Sequence, residues 1–411
     1  MFEELPSGEP GKMVALRTVP DVIKRRGEAT IMEAFFQSHR WARILLRVVV
    51  VLFVLMAAIA VFAALFLRFW PAFGGSPDRE DREKYALRAD NYADGAFYNP
   101  GEFSVMTRTV DPYADRTTGK GTTPKDELPI VKPSLSEAPA RDELTVTWLG
   151  HSTCLMQMHG KNLLFDPVLS DIASPVSFVG SWRFSGLPMT ARELPEIDAV
   201  IITHDHYDHL DYGTIREIDP KVARYIVPLG IEKHLERWGV AADRIEAVAW
   251  WEEIDLDGLT VACVPSRHYS GRKLLGQNAT LWASWVLKDE DHTVFESGDT
   301  GYGDQFEAIH ERYGDFTLAL TDCAQYSTRW HDVHMFPEEA IEAARILGAK
   351  TVMPIHWGVF RLSNHAWDDP VERFTLSGEE KGLTVLTPRL GETLRWNERE
   401  AYQERWWRGL R

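Results

Sequence analysis

Between positions 203 and 209 the chain reads Thr-His-Asp-His-Tyr-Asp-His, straight after the apolar run 199–202. Apolar, mostly β-branched residues that give way to imidazoles and carboxylates predict a buried strand whose carboxyl end opens onto a polar site. Residues two apart in extended chain project to the same side. His204 and His206 are therefore spaced to hold one cation together, and Asp208 and His209, after a turn, to reach a second. Asp205 points the other way; it either orients an imidazole or makes a structural hydrogen bond.

Three further apolar runs, at 259–265, 293–296 and 351–355, lead to His268, Asp299 and His356. Open α/β sheets gather ligands at the carboxyl ends of their strands, so these positions can converge on the first cluster. Imidazoles and carboxylates suit zinc. Asp299 has two oxygens and can bridge two ions, while His268 and His356 complete the two coordination spheres. The expected ligand set is His204, His206, Asp208, His209, His268, Asp299 and His356, holding two Zn2+ per chain. Two such ions make hydroxide available near neutral pH by lowering the pKa of bound water. Asp208 or Asp299 would relay the proton. His151 and Asp166 are expected in supporting or turn roles.

Other strands are predicted at 144–148, 162–165, 199–203, 283–287, 317–321 and 383–386, and a helix at 337–347, opened by a proline and two glutamates and closed before Gly348. The alternation points to a layered α/β domain over 142–396. Residues 48–67 carry no charge, and Arg47, Arg68, Trp41 and Trp70 flank them. Twenty residues at about 1.5 Å rise span roughly 30 Å, the thickness of a bilayer core, so 48–67 reads as a single transmembrane helix. The segment 1–47, with Lys24, Arg25, Arg26, Arg40, Arg43 and Arg47, is basic. That favours an inside N-terminus and a main domain on the outer, non-cytoplasmic side. Residues 68–141, rich in Pro, Gly, Asp and Lys, read as linker and lead-in, and 397–411 as a Trp- and Arg-rich tail. A formal charge of −16 argues against a nucleic-acid partner. The cysteines, Cys154, Cys263 and Cys323, imply no disulfide framework and read as packing.

The metal pattern resembles the metallo-β-lactamase superfamily, whose fold is a four-layer αββα sandwich with a dinuclear site at one edge. Within it the chain is similar to the N-acylphosphatidylethanolamine-hydrolysing phospholipase D group over about 94–396. The matching stretches are Asp-Gly-Ala-Phe-Tyr-Asn-Pro at 94–100, Trp-Leu-Gly-His-Ser-Thr at 148–153, Leu-Pro-Glu-Ile-Asp-Ala-Val at 194–200 and Ser-Gly-Asp-Thr-Gly-Tyr at 297–302. The His-rich motif with Tyr207, extended by Leu210-Asp211-Tyr212, Pro-Glu-Glu-Ala at 337–340 and Ile-His-Trp-Gly at 355–358 complete the set. The resemblance puts His204, His206 and His268 on one zinc and Asp208, His209 and His356 on the other, with Asp299 bridging. Asp205 stands where oxygen-reducing diiron relatives carry Glu, which speaks against a redox role.

The resemblance implies a zinc-dependent hydrolase of phospholipase D type, acting on (N-acyl)phosphatidylethanolamine-like phospholipids through a metal-bound hydroxide. Lactone or carboxylic ester hydrolysis on the same fold is an alternative, as is a non-catalytic membrane-bound metal-binding protein. His334 falls where relatives place a substrate-contacting histidine; a helix-start hydrogen bond is the plainer role. Arg329, Trp330 and His331 are candidates for a substrate rim or a solvated loop. Phe178, Trp182 and Phe184 either line an acyl path or pack. Trp406 and Trp407, beside Arg405, Arg408 and Arg411, form an interfacial anchor or pack on the domain.

Overall fold

The computed structural model describes residues 33–34, 39–107, 119–136, 139–273 and 276–410. Lys24, Arg25, Arg26 and Arg411 lie outside the described residues. Two units are distinct, 1–69 and 70–411. In the first, helix α1 (Arg40–Phe69) runs for 30 residues. It is long and apolar enough to cross a membrane by length and composition. Its Val, Leu, Ile and Phe side chains are exposed all around, with no polar face to set against a core.

The second unit is built on two seven-stranded sheets. The first holds β1 (Thr145–Gly150), β2 (Thr153–Met158), β3 (Lys161–Phe165), β4 (Ile197–Ile201), β5 (Val222–Pro228), β6 (Ile245–Val248) and, last in sequence, β14 (Thr393–Arg395), in spatial order β6-β5-β4-β3-β2-β1-β14. The second holds β7 (Glu253–Leu256), β8 (Leu259–Val264), β9 (Ser284–Lys288), β10 (Thr293–Glu296), β11 (Leu318–Asp322), β12 (Thr351–Ile355) and β13 (Thr384–Val385), in sequence order. Each sheet pairs antiparallel on one side and parallel on the other: β3 to β6 and β10 to β13 are the parallel halves.

Side chains alternate across each strand, which fixes the layers. On the first sheet Cys154, Met156, Phe165 and Ile201 join Val261, Trp285 and Phe295 of the second sheet in one core. Their neighbours Leu155, Leu164, Val200 and Tyr225 face a separate core with Ile215, Leu235 and Trp238. Those three residues come from short outer helices, Tyr212–Ile218 and Glu232–Trp238. Helices Gln305–Tyr313, Pro337–Ile346 and Asp369–Lys381 cover the second sheet with Phe306, Ile341 and Phe374. The result is the expected helix–sheet–sheet–helix sandwich. All three cysteines are buried and free, and burial pushes their thiols well up.

Two segments outside the sheets pack on the domain. The lead-in has its own helix and core contacts over 70–107. Asp78 caps helix Arg79–Arg88 reciprocally with Asp81, and Tyr85 and Phe97 are buried with Leu281 and Trp282. The tail packs on the domain, one of the two arrangements expected of it. Trp406 and Trp407 are buried in the main core. Trp406 Nε1 donates to the Thr387 carbonyl at 3.1 Å and Trp407 Nε1 to Glu372 at 2.9 Å. A buried indole needs such a partner, and here both have one within the fold.

Candidate metal centre

The parallel halves of both sheets end at one edge of the sandwich, and the predicted ligands sit there. After β4 the chain continues extended through His204 to His206. It then turns, with the amide of Leu210 donating to the His206 carbonyl at 2.8 Å, which brings Asp208 and His209 back to the same edge. His204 Nε2 and His268 Nε2 lie 2.9 and 3.2 Å from His206 Nδ1. Asp299 Oδ2 faces this trio, 3.7 Å from His204 Nε2 and 3.8 Å from His268 Nε2. Its other oxygen, Oδ1, faces a second set, 3.1 Å from His209 Nε2 and 3.0 Å from His356 Nδ1. Asp208 Oδ2 lies 3.5 Å from His209 Nε2.

Supporting groups aim these rings. Asp166 accepts from His209 Nδ1 at 2.7 Å and from the Thr203 hydroxyl at 2.6 Å. Thr203 Oγ1, its proton given to Asp166, is free to accept from His204 Nδ1 at 3.0 Å. His268 Nδ1 faces the Val333 carbonyl at 3.0 Å. Each of the three histidines thereby spends Nδ1 on the protein and turns Nε2 to the cluster, the usual arrangement of metal-binding imidazoles. Asp205 points away, accepting from the Gly271 amide at 2.8 Å and facing His234 at 3.2 Å. His151 meets Asp208 at 2.9 Å.

The backbone is bent to allow this. His151 and His356 both adopt positive φ, 55° and 66°, and the His356 amide donates to the His151 carbonyl at 3.1 Å. Such conformations are disfavoured for side-chain-bearing residues and persist where the surroundings enforce them. Here Trp148 enforces them: it stacks on Trp357 at 5.0 Å and donates to the His151 carbonyl at 2.9 Å. The Trp-Leu-Gly-His and Ile-His-Trp-Gly motifs are thus two halves of one brace. Gly298, at φ 53°, lies against Thr203, and a Cβ there would sit 2.6 Å from the threonine Cβ.

Burial pushes His204, His268 and His356 well below their ordinary range and His206 down to about 4. Burial also pushes the Asp299 carboxyl up, to about 6, against the pull of His209. It works the same way on Asp208, yet His209 and His151 hold that carboxyl well below its usual range.

His334 joins the cluster, its Nε2 4.0 Å from Asp299 Oδ2. Its Nδ1 lies 2.9 Å from Asp322, a fully buried carboxylate at the end of β11 that sequence reasoning missed. The signal was there, since β11 is one more parallel strand ending in a potential ligand. Ser152, 3.1 Å from His356 Nδ1, was missed too. A cavity of about 530 Å³ opens over His206, Asp208, Asp299, His334 and His356, with Val105, Met106, Ala173, Tyr269, Trp330 and Leu362 among its walls. A larger one, about 620 Å³, lies beside Tyr98, Trp250 and Trp251 and shares no residue with the cluster. Phe178, Trp182 and Phe184 are not among the walls of the cavity over the cluster; Phe178 and Trp182 are exposed, and Phe184 packs on the core. His331 pairs with Glu339 at 2.8 Å, and Arg329 does not line the cavity.

A family model described as the Beta-lactamase superfamily domain matches residues 161–357. A Mycobacterium tuberculosis protein is 39% identical over 335 residues, spanning 78% of this chain and 90% of its own. The N-acyl-phosphatidylethanolamine-hydrolyzing phospholipase D 1 of Caenorhabditis elegans is 34% identical over 246 residues, spanning 57% of this chain and 69% of its own. The chain belongs to the beta-lactamase superfamily of metal-dependent hydrolases. Among solved structures, a metallo hydrolase from Ignicoccus hospitalis is similar at 22% identity, covering 62% of this chain and 98% of its own, with a TM-score of 0.47.

The residues fit the metals this superfamily uses. His209 Nε2 and Asp299 Oδ1 are buried without a hydrogen-bond partner among the described residues. Around them, imidazole nitrogens crowd together with lone pairs facing inward. Buried acceptors without donors are costly, and a divalent cation bound by nitrogen and oxygen satisfies them at once.

Proposed function

We propose that the chain is a membrane-associated phosphodiesterase of phospholipase D type, acting on (N-acyl)phosphatidylethanolamine-like lipids with two zinc ions. Asp299 carries the reading, because its two oxygens are divided between two ligand sets. His204, His206 and His268 would hold one ion, and Asp208, His209 and His356 the other. Zinc at these positions supplies Lewis acidity for a phosphoryl oxygen and an activated water.

The chain's own groups do the rest. Asp166 and Thr203 keep the imidazoles aimed. Asp208 and Asp299 are the carboxylates within reach of a proton taken from water. His334, fixed through Nδ1 by Asp322, directs Nε2 to the cluster, where its N–H can donate to a phosphate oxygen. Burial opposes a charge on His334, but Asp322, with Asp299 and Asp208, outweighs it and raises the imidazole's pKa. Met106, Trp330 and Leu362 offer an apolar wall beside this polar floor. Helix α1 would cross the bilayer once, with the hydrolase domain on the outer side, and so hold the site near its substrate. The relative named a phospholipase D supports the substrate class.

The test is hydrolysis of N-acylphosphatidylethanolamine by the full chain in detergent, in ¹⁸O-labelled water. Label in phosphatidic acid is expected, because attack is at phosphorus. Label in a fatty acid or an opened lactone would make it a carboxylic ester hydrolase or lactonase instead.

A further inference from the structure

Three tight turns meet at the end of the sandwich away from the catalytic cavity. β2 leaves Thr153 beside the cavity and runs to Met158, so the turn at His159–Gly160 lies at the far end. β10 runs from Thr293 towards Asp299, so the turn 289–292 lies at the far end too. The turn at Asp257–Gly258 joins them. His159 Nδ1 lies 3.3 Å from Glu290 Oε2 and 3.7 Å from Asp289 Oδ2. His159 is 2% exposed and the Asp289 side chain 1%. Among the described residues neither His159 Nδ1 nor Asp289 Oδ2 has a hydrogen-bond partner, and neither does buried His292 Nδ1, 3.7 Å from Asp289 Oδ1.

We propose that His159, Asp289 and Glu290 form a second kind of metal site in this chain, a structural one for a divalent transition-metal cation such as zinc. The ligand atoms of these three residues all lie within 4.8 Å of one another. Tetrahedral zinc with ligands at about 2.0–2.1 Å sets its ligand atoms roughly 3.3–3.4 Å apart, close to the separations found here. A proton on His159 Nε2, which faces the Asp257 carbonyl at 3.2 Å, leaves the Nδ1 lone pair directed at two carboxylates. That arrangement is repulsive until a cation lies among them. Two carboxylates and one imidazole balance a divalent charge, and the exposure of Glu290 leaves a path for the ion. His292 stands on the far oxygen of the same carboxylate. The bound ion would tie a turn of the first sheet to a turn of the second. Arg141 also touches His159 Nε2, and a guanidinium can only donate; with Nε2 accepting from it, the proton would sit on Nδ1 and the cluster would be a neutral imidazole hydrogen-bonded to carboxylate.

Equilibrium dialysis of the full chain against zinc, with metal counted by elemental analysis, separates the two. The wild type is expected to hold one equivalent more than His159→Ala or Asp289→Asn, with hydrolysis unchanged in both variants. Glu290→Gln, at an exposed position, keeps the test decisive if the buried variants fail to fold. It is expected to weaken zinc binding at this site about tenfold or more and to lose the rise in melting temperature that zinc gives the wild type. Equal metal counts across all foldable variants, or an unaltered Glu290→Gln titration, would overturn the proposal in favour of the hydrogen-bonded imidazole.

Discussion

The buried carboxylate of Asp322 lies 2.9 Å from His334 Nδ1 and holds that imidazole parallel to His356, the ring planes 12° apart and the centroids 5.2 Å. His334 is therefore positioned by a group that belongs to neither ligand set. His334→Ala should lower kcat about 10²-fold, in the range for loss of one positioned donor, while both ions stay bound. Asp322→Asn should give a smaller loss of the same kind. Metal analysis beside steady-state kinetics checks this; a variant that loses metal would make His334 a ligand instead.

Removing a ligand should act differently. His206→Ala takes one imidazole from the first set, and an incomplete sphere binds its ion weakly. Metal content should fall and activity should nearly vanish. A fully active variant with no metal by elemental analysis would contradict the assignment.

Asp166→Ala leaves every ligand in place but frees the His209 ring. Loss of such a partner costs roughly 10–100-fold in metal affinity. Competition with a chromophoric chelator measures the change. An unchanged affinity would mean that packing alone aims His209.

Gly298→Ala should cost about 2–4 kcal/mol, combining positive φ with the crowding of Thr203. Trp407→Ala should cost about 3–5 kcal/mol, as for other large aromatics removed from a core. Chemical denaturation reads both. If Trp407→Ala instead weakened vesicle binding with stability intact, its burial would not be its role.

Removing residues 1–69 should leave a folded, metal-loaded domain, since 70–411 form a unit of their own. Turnover of a soluble, short-chain substrate should be retained. Turnover of substrate in vesicles should fall about 10²-fold, the effect of losing a tether that raises effective concentration.

The convergence of imidazoles and carboxylates was legible in sequence because its strands are apolar, short and end in rare residue types. β4, β8, β10 and β12 each announce themselves in this way. β2 did not: Thr-Cys-Leu-Met-Gln-Met has neither alternation nor β-branched residues after its first, and it is a strand because both its faces are covered. β5 carries Arg224 and closes on a proline, and β7 is a polar edge strand. Asp322 was not singled out, since its partner His334 is brought to it by tertiary structure. Trp406 and Trp407 show the same limit. An indole beside arginines satisfies the composition of a membrane interface and of a core equally well, and only the neighbouring Trp357 decides.

The pairing of β14 with β1 joins the last strand of the hydrolase domain to its first. On the ribosome, residues 145–150 must wait for 393–395 before that edge of the sheet can close, and longer still for Trp406 and Trp407 to fill the space beside Trp357. Helix α1 emerges long before. The domain thus reaches its finished form only after position 407 has left the ribosome.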